Sequence, residues 1–173
     1  MAAPAGCSSG ATSSTATTST TASAAALRGV TRAPSPFERF EQVRVTIRGA
    51  DGEVRTPCML LARTEELRAQ GLMHVRAGGL DPFAGMVFAF DQDVTGSFTM
   101  ADTVMPLSVV FLDPSGRVVS SQAMTPCPAG TTTCPTYPAA GPYRTAIEVP
   151  AGQATVLGLD EKAEVQVGGT CPT

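Results

Sequence analysis

From about residue 40 onward, apolar and polar positions alternate in short runs. Val43, Val45 and Ile47 fall on one face of an extended segment, with Gln42, Arg44, Thr46 and Arg48 on the other. That period of two is the signature of a half-buried strand. Gly49-Ala50-Asp51-Gly52 supplies turn chemistry, because an Asp-Gly pair tolerates positive φ, and a second strand over 54–61 is expected to return as a hairpin. Pro57 lacks an amide donor, so that strand lies at an edge or is irregular there. The apolar runs 86–90 and 107–112 are too short, and too rich in Val and Phe, for helices. They read as strands over 85–90 and 106–112, with another over 95–100 between them. Asp113-Pro114-Ser115-Gly116 is a reverse turn, with Pro setting φ and Gly ending it. It leads into a strand over 117–124 that pairs back as a hairpin. Further strands are expected over 144–149, where the alternation resumes, and over 163–167.

Helical patterning is sparse. Thr64-Glu65-Glu66-Leu67-Arg68-Ala69-Gln70-Gly71 carries a capping Thr, two acids at its positive end and a Gly suited to a left-handed stop. At about two turns it depends on packing through Leu67 and Leu72. Residues 151–157 can form a second short helix, and 74–82 read as a loop. Pro126, Pro128, Pro135, Pro138 and Pro142 punctuate 125–142, a density that predicts a long surface loop without a regular ladder. Together these elements imply an α+β fold: a mostly antiparallel, curved or barrel-like sheet with one or two short helices.

Composition divides the chain. Residues 8–26 are only Ser, Thr and Ala apart from Gly10, with too little apolar surface to offset the entropy of ordering. Residues 1–36 therefore read as a disordered tether and 37–173 as one β-rich domain. Ala5-Gly6-Cys7 ahead of the Ser/Thr tract has the form of a bacterial lipoprotein signal end, with lipid expected on Cys7, although Pro4 stands where Leu is usual. No run approaches the roughly 18 apolar residues of a membrane helix, so lipid on Cys7 is the one membrane attachment expected. A net charge of −3 with scattered Arg and a single Lys argues against nucleic acid as a partner.

With Cys7 set aside, Cys58, Cys127, Cys134 and Cys171 remain. Three connectivities are open to four cysteines, and position favours Cys127–Cys134 and Cys58–Cys171. Disulfides fit an exported protein. Zinc needs clustered Cys and His, and His74 is the only His. Met59, Met73, Met86, Met100, Met105 and Met124 raise a Cu(I) alternative, since soft thioethers select that ion; core filling is the ordinary use of Met. No nucleophile motif or phosphate loop accompanies His74. The polar residues left in the apolar middle of the chain are Arg68, Asp102, Thr103, Ser108 and Tyr137. They could form a small ligand site at the sheet rim. Alternatively, Asp102 bonds its own turn amides, with Arg68 as a structural ion-pair partner.

An ordered set of short pieces carries a family resemblance. Arg68-x-x-Gly71-Leu72-Met73, Gly85-Met86-x-Phe88-x-Phe90, Phe98-x-Met100-x-Asp102-Thr103-x-x-Pro106-Leu107 and Phe111-x-Asp113 follow one another closely. Over about 55–167 the chain resembles the DUF192 (UPF0127) family, small envelope-associated domains of unknown biochemical function. Thr99 stands where the family usually has Trp, and Ser108 where it usually has Asp. The resemblance implies a compact β-rich fold and no established reaction. The leading expectation is thus a non-catalytic, extracytoplasmic module, binding a small molecule or an envelope protein and using no cofactor. The alternatives are an enzyme with an Arg68/Asp102 site, and Cu(I) binding through Met.

Overall fold

The computed structural model describes residues 36–127 and 129–172. The expected tether, up to residue 35, with Cys7 and its expected lipid, lies outside the described residues. Ten strands and two short helices follow in order: β1 (Glu41–Arg48), β2 (Val54–Arg55), β3 (Cys58–Ala62), α1 (Glu65–Gln70), β4 (Met86–Val94), β5 (Ser97–Thr99), β6 (Leu107–Leu112), β7 (Val118–Met124), β8 (Thr136–Pro138), β9 (Tyr143–Pro150), α2 (Gln153–Val156) and β10 (Glu164–Val167). The fold is α+β, mostly strand. Its main sheet runs β10-β1-β3-β4-β9-β6-β7, with β2 also on β1. Every pairing is antiparallel except β3 with β4, for which α1 lies in the crossover connection that parallel strands require.

The sheet curls into a half-barrel. Val165 of β10 donates its amide to the Gly116 carbonyl at 2.9 Å, and Arg117 bridges Glu164, so the turn after β6 reaches the strand at the far edge. Gly116 is required there: its φ is +82°, and a Cβ would stand 1.9 Å from the Val165 carbonyl oxygen. Curling gives two cores. One gathers Val43, Val45, Ile47, Met59, Val87, Val110, Ile147 and Val165 on one face of the sheet. The other covers the opposite face, where Phe40, Leu72, Met86, Phe88, Met100, Val109, Phe111 and Tyr143 pack together.

Several local expectations change. The strand over 54–61 breaks at Pro57 into β2 and β3, both paired with β1. β4 runs on to Val94 rather than ending near Phe90, with a register shift between Ala89 and Val94. The strand over 95–100 shrinks to β5. The stretch 125–142 does hold a ladder, contrary to expectation: β8 pairs with β5 as a separate two-stranded sheet. Pro138 is tolerated because it ends a strand that has only one neighbour. Cys58 and Cys171 have Cα atoms 5.7 Å apart, and Cys127 and Cys134 5.8 Å, both within the span a disulfide bridges.

Candidate functional site

A cavity of about 570 Å³ opens between α1, the second half of β4, β5 and β9. Phe88, Phe90, Phe98 and Tyr143 supply its aromatic wall. Phe88 meets Phe98 edge-on at 4.9 Å, and Phe90 meets Tyr143 at 5.5 Å, the T-shaped geometry that ring quadrupoles favour. Tyr143 is tied by its hydroxyl, which donates to the Gly96 carbonyl at 3.1 Å, and burial pushes its pKa up. Arg68 stands on the α1 side. Its Nη1 donates to the Arg63 carbonyl and, at 3.0 Å, to that of Ala89, and its guanidinium lies 4.8 Å from the Phe90 ring centre. The helix that carries it is capped as its sequence dictates. Thr64 accepts the Leu67 amide, and the Gly71 amide donates to the Leu67 carbonyl.

Glu148 is the residue of this cavity that the sequence reading missed. It lies in β9, opposite Met86 of β4 and Val109 of β6, and is only 4% exposed. Gly85 allows that close packing, since a Cβ there would sit 2.3 Å from the Glu148 carbonyl oxygen. Among the described residues, no hydrogen bond or ion pair reaches the Glu148 carboxyl. Yet no wholly occluded side-chain oxygen among them lacks a partner. The carboxyl therefore opens on the cavity it lines. Burial pushes its pKa from 4.5 up to about 8, because a low-dielectric surround disfavours the charged form. The signal available in sequence was an acid in Ala146-Ile147-Glu148-Val149, which fits a half-buried strand equally well.

Of the residues singled out from sequence, Arg68 and Thr103 line this cavity together. Thr103 is buried, and its hydroxyl donates to the Ala101 carbonyl at 3.2 Å. Ser108 lies in β6 beside a separate shallow groove with Gln122 and Asp160. Tyr137, in β8, accepts the Thr125 amide on its hydroxyl at 2.9 Å and pairs with Phe98, but is not among the residues that line the cavity. The six Met are divided: Met59 is in one core, Met86, Met100, Met105 and Met124 are buried among the apolar side chains of the other, and Met73 lines the cavity.

Asp102 corrects an expectation. Its carboxylate bonds neither its own turn amides nor Arg68; the Thr103 amide donates to the Met100 carbonyl instead, at 3.0 Å. The turn uses the Asp102 backbone, at φ 53°, a left-handed conformation that Asp and Asn tolerate best among side-chain-bearing residues. Asp102→Asn is therefore expected to leave urea stability nearly unchanged, whereas Asp102→Val costs ~1–2 kcal/mol. An Asn variant as unstable as the Val variant would mean that the charge, not the backbone, is what matters.

The fold and the chain both have relatives. A protein from Sinorhizobium meliloti 1021, provisionally described as a transcription regulator, superposes with a TM-score of 0.64 at 23% identity, covering 74% of this chain and 95% of its own. A protein of unknown function from Novosphingobium aromaticivorans DSM 12444 gives 0.63 at 29% identity, covering 78% and 91%. No functionally curated protein matches. The family model DUF192, described as "Uncharacterized ACR", matches residues 45–167, a span that holds α1, the aromatic wall and Glu148. The chain belongs to the DUF192 family.

Proposed function

We propose that this is a non-catalytic extracytoplasmic domain that holds one small molecule in the cavity between α1 and β9. The observation that carries this reading is Glu148, a buried carboxyl that has no partner among the described residues and lines an aromatic-walled cavity. Burying such a group costs stability, and the cost is offset when a ligand supplies the missing hydrogen bonds. The volume of about 570 Å³ falls within the range of about 300–1,000 Å³ common to small-molecule sites. An enzyme built on Arg68 with Asp102 has less support, since Asp102 does not line this cavity. The export part of the reading rests on the two cysteine pairs, which suit an oxidising compartment, and on the Ala5-Gly6-Cys7 triplet ahead of a Ser/Thr tract. The net charge of −3 gives no electrostatic footprint for nucleic acid, so a regulator role like that provisionally given to the Sinorhizobium protein has no support in this chain.

Mass spectrometry of protein purified from its own cells tests both parts. Under native conditions the expected result is a bound small molecule, one per chain, that is lost on denaturation. A lipid on Cys7 would instead survive denaturation. An empty wild-type protein in every native preparation would count against the ligand, and an unlipidated peptide starting upstream of Cys7 would count against the anchor.

A further inference from the structure

Resting on that ligand-binding reading, we infer that the cavity takes an organic ammonium ion, whose charged nitrogen seats against the Glu148 carboxylate among the rings of Phe88, Phe98 and Tyr143. Three observations converge on this class. The first is the missing partner: the carboxyl opens on the cavity and receives no hydrogen bond or ion pair among the described residues. The second is the state of the protein's own cations. The cavity wall carries four titratable groups, Glu65, Arg68, Tyr143 and Glu148. Arg68 is the one cation among them, and it is engaged by the Arg63 and Ala89 carbonyls and by the Phe90 ring. Among the described residues no cation pairs with Glu148, so a counter-charge for its ionised form is left to a ligand. The third is the wall itself. Aromatic faces attract cations, more strongly once both are desolvated, and they also bury an apolar body.

A metal ion fits poorly. Among the described residues no group of three or more His, Cys, Asp or Glu could hold one, and hard cations seek several oxygen ligands. A primary ammonium brings three N–H donors to one carboxylate, and a charge-assisted bond of this kind is about twice as strong as a neutral one. A neutral hydroxyl would meet a protonated acid and gain only a neutral hydrogen bond, about half as strong. An anion would meet Glu148 and Glu65 on the same wall, with Arg68 Nη1 held by two carbonyls.

The proton balance gives a specific signature. Near neutral pH the empty site holds Glu148 largely protonated, since burial lifts its pKa to about 8. Ammonium binding favours the ionised carboxylate, so complex formation releases a proton from Glu148 to the buffer. Isothermal titration calorimetry of the full chain near neutral pH, in two buffers of different ionisation enthalpy, reads affinity and proton release together. The probes are benzylamine, benzyl alcohol and benzoate. Benzylamine is expected to bind at least about tenfold tighter than the other two, with net proton release, while benzyl alcohol releases none. In Glu148→Gln, which removes the charge and keeps the shape, benzylamine should fall to the level of the alcohol with no proton released. Equal or tighter binding of benzyl alcohol or benzoate would overturn the ammonium assignment and leave the ligand-binding reading standing. Benzylamine binding unchanged in Glu148→Gln would also overturn it. No binding of any probe would overturn it too, and if native mass spectrometry also finds the protein empty, the ligand-binding reading falls with it.

Discussion

Replacing Glu148 by glutamine is expected to stabilise the ligand-free fold, by an amount that grows with pH. Burial raises the Glu148 carboxyl from 4.5 to about 8 in the folded protein. The folded state thus keeps a proton that the unfolded chain gives up. The stability this provides is fully present below 4.5 and is lost as pH rises through about 8. Each pH unit inside that window is worth ~1.4 kcal/mol, so the whole effect is on the order of 5 kcal/mol. Glutamine has nearly the same shape and never ionises. Urea denaturation of the two proteins should agree to within ~1 kcal/mol at about pH 4 and diverge by several kcal/mol at about pH 9. Other carboxyls shift the opposite way: the Arg55 side chain holds Asp51 low, its own backbone amide holds Glu66 low, and the Ser115 hydroxyl holds Asp113 low. These titrate in acid in both proteins and cancel in the difference. Parallel stability curves up to about pH 9 would show that water satisfies Glu148 in the folded state, and the case for a desolvated anchor would collapse.

The second large effect is expected at Cys58 and Cys171. Their separation of 113 residues encloses nearly the whole folded region. Cross-linking a loop of this size restricts the unfolded chain by about 4.7 kcal/mol. The pair also spans β1, since β3, which begins at Cys58, and β10, which ends shortly before Cys171, both pair with β1, one on each side of it in the main sheet. Losing it should release the chain terminus from the sheet. The double substitution Cys58→Ser with Cys171→Ser is expected to lower urea stability by roughly 4–5 kcal/mol. The Cys127–Cys134 pair, with a separation of 7, should cost only about 2.5 kcal/mol by the same chain-entropy relation. Wild-type protein in reductant should lose stability comparably to a variant lacking all four cysteines. A denaturation midpoint indifferent both to the Ser pair and to reductant would show that the thiols never bridge.

Much of the architecture was legible in the chain because its causes are local. The alternation at Val43, Val45 and Ile47 needs only a strand with one covered face, and β1 has that pattern. Thr64 and Gly71 bracket α1 because the first amides and last carbonyls of any helix need partners. Asp113 to Gly116 closes β6 onto β7, with the Gly116 amide donating to the Asp113 carbonyl, as a Pro-Ser-Gly turn should. The ordered DUF192 pieces were equally readable, since they are linear in sequence.

Partner choice was not legible, because it depends on which distant segments meet. Nothing near Thr136 announces that it will pair with Thr99, so a proline-rich stretch reads as loop until β5 is beside it. Asp102 reads as a side chain that caps its own turn, and packing instead uses its tolerance of positive φ. Glu148 is the clearest case. Ile147-Glu148-Val149 alternates as a strand with one wet face would. Only the sheet order, with β9 between β4 and β6, and a second core laid over that face, turn the apparently solvated carboxyl into a buried one. The sequence determined that a strand would carry an acid at this position. The tertiary structure decided that the acid would face a cavity rather than water, because burial belongs to the layers stacked on a strand and not to the strand itself.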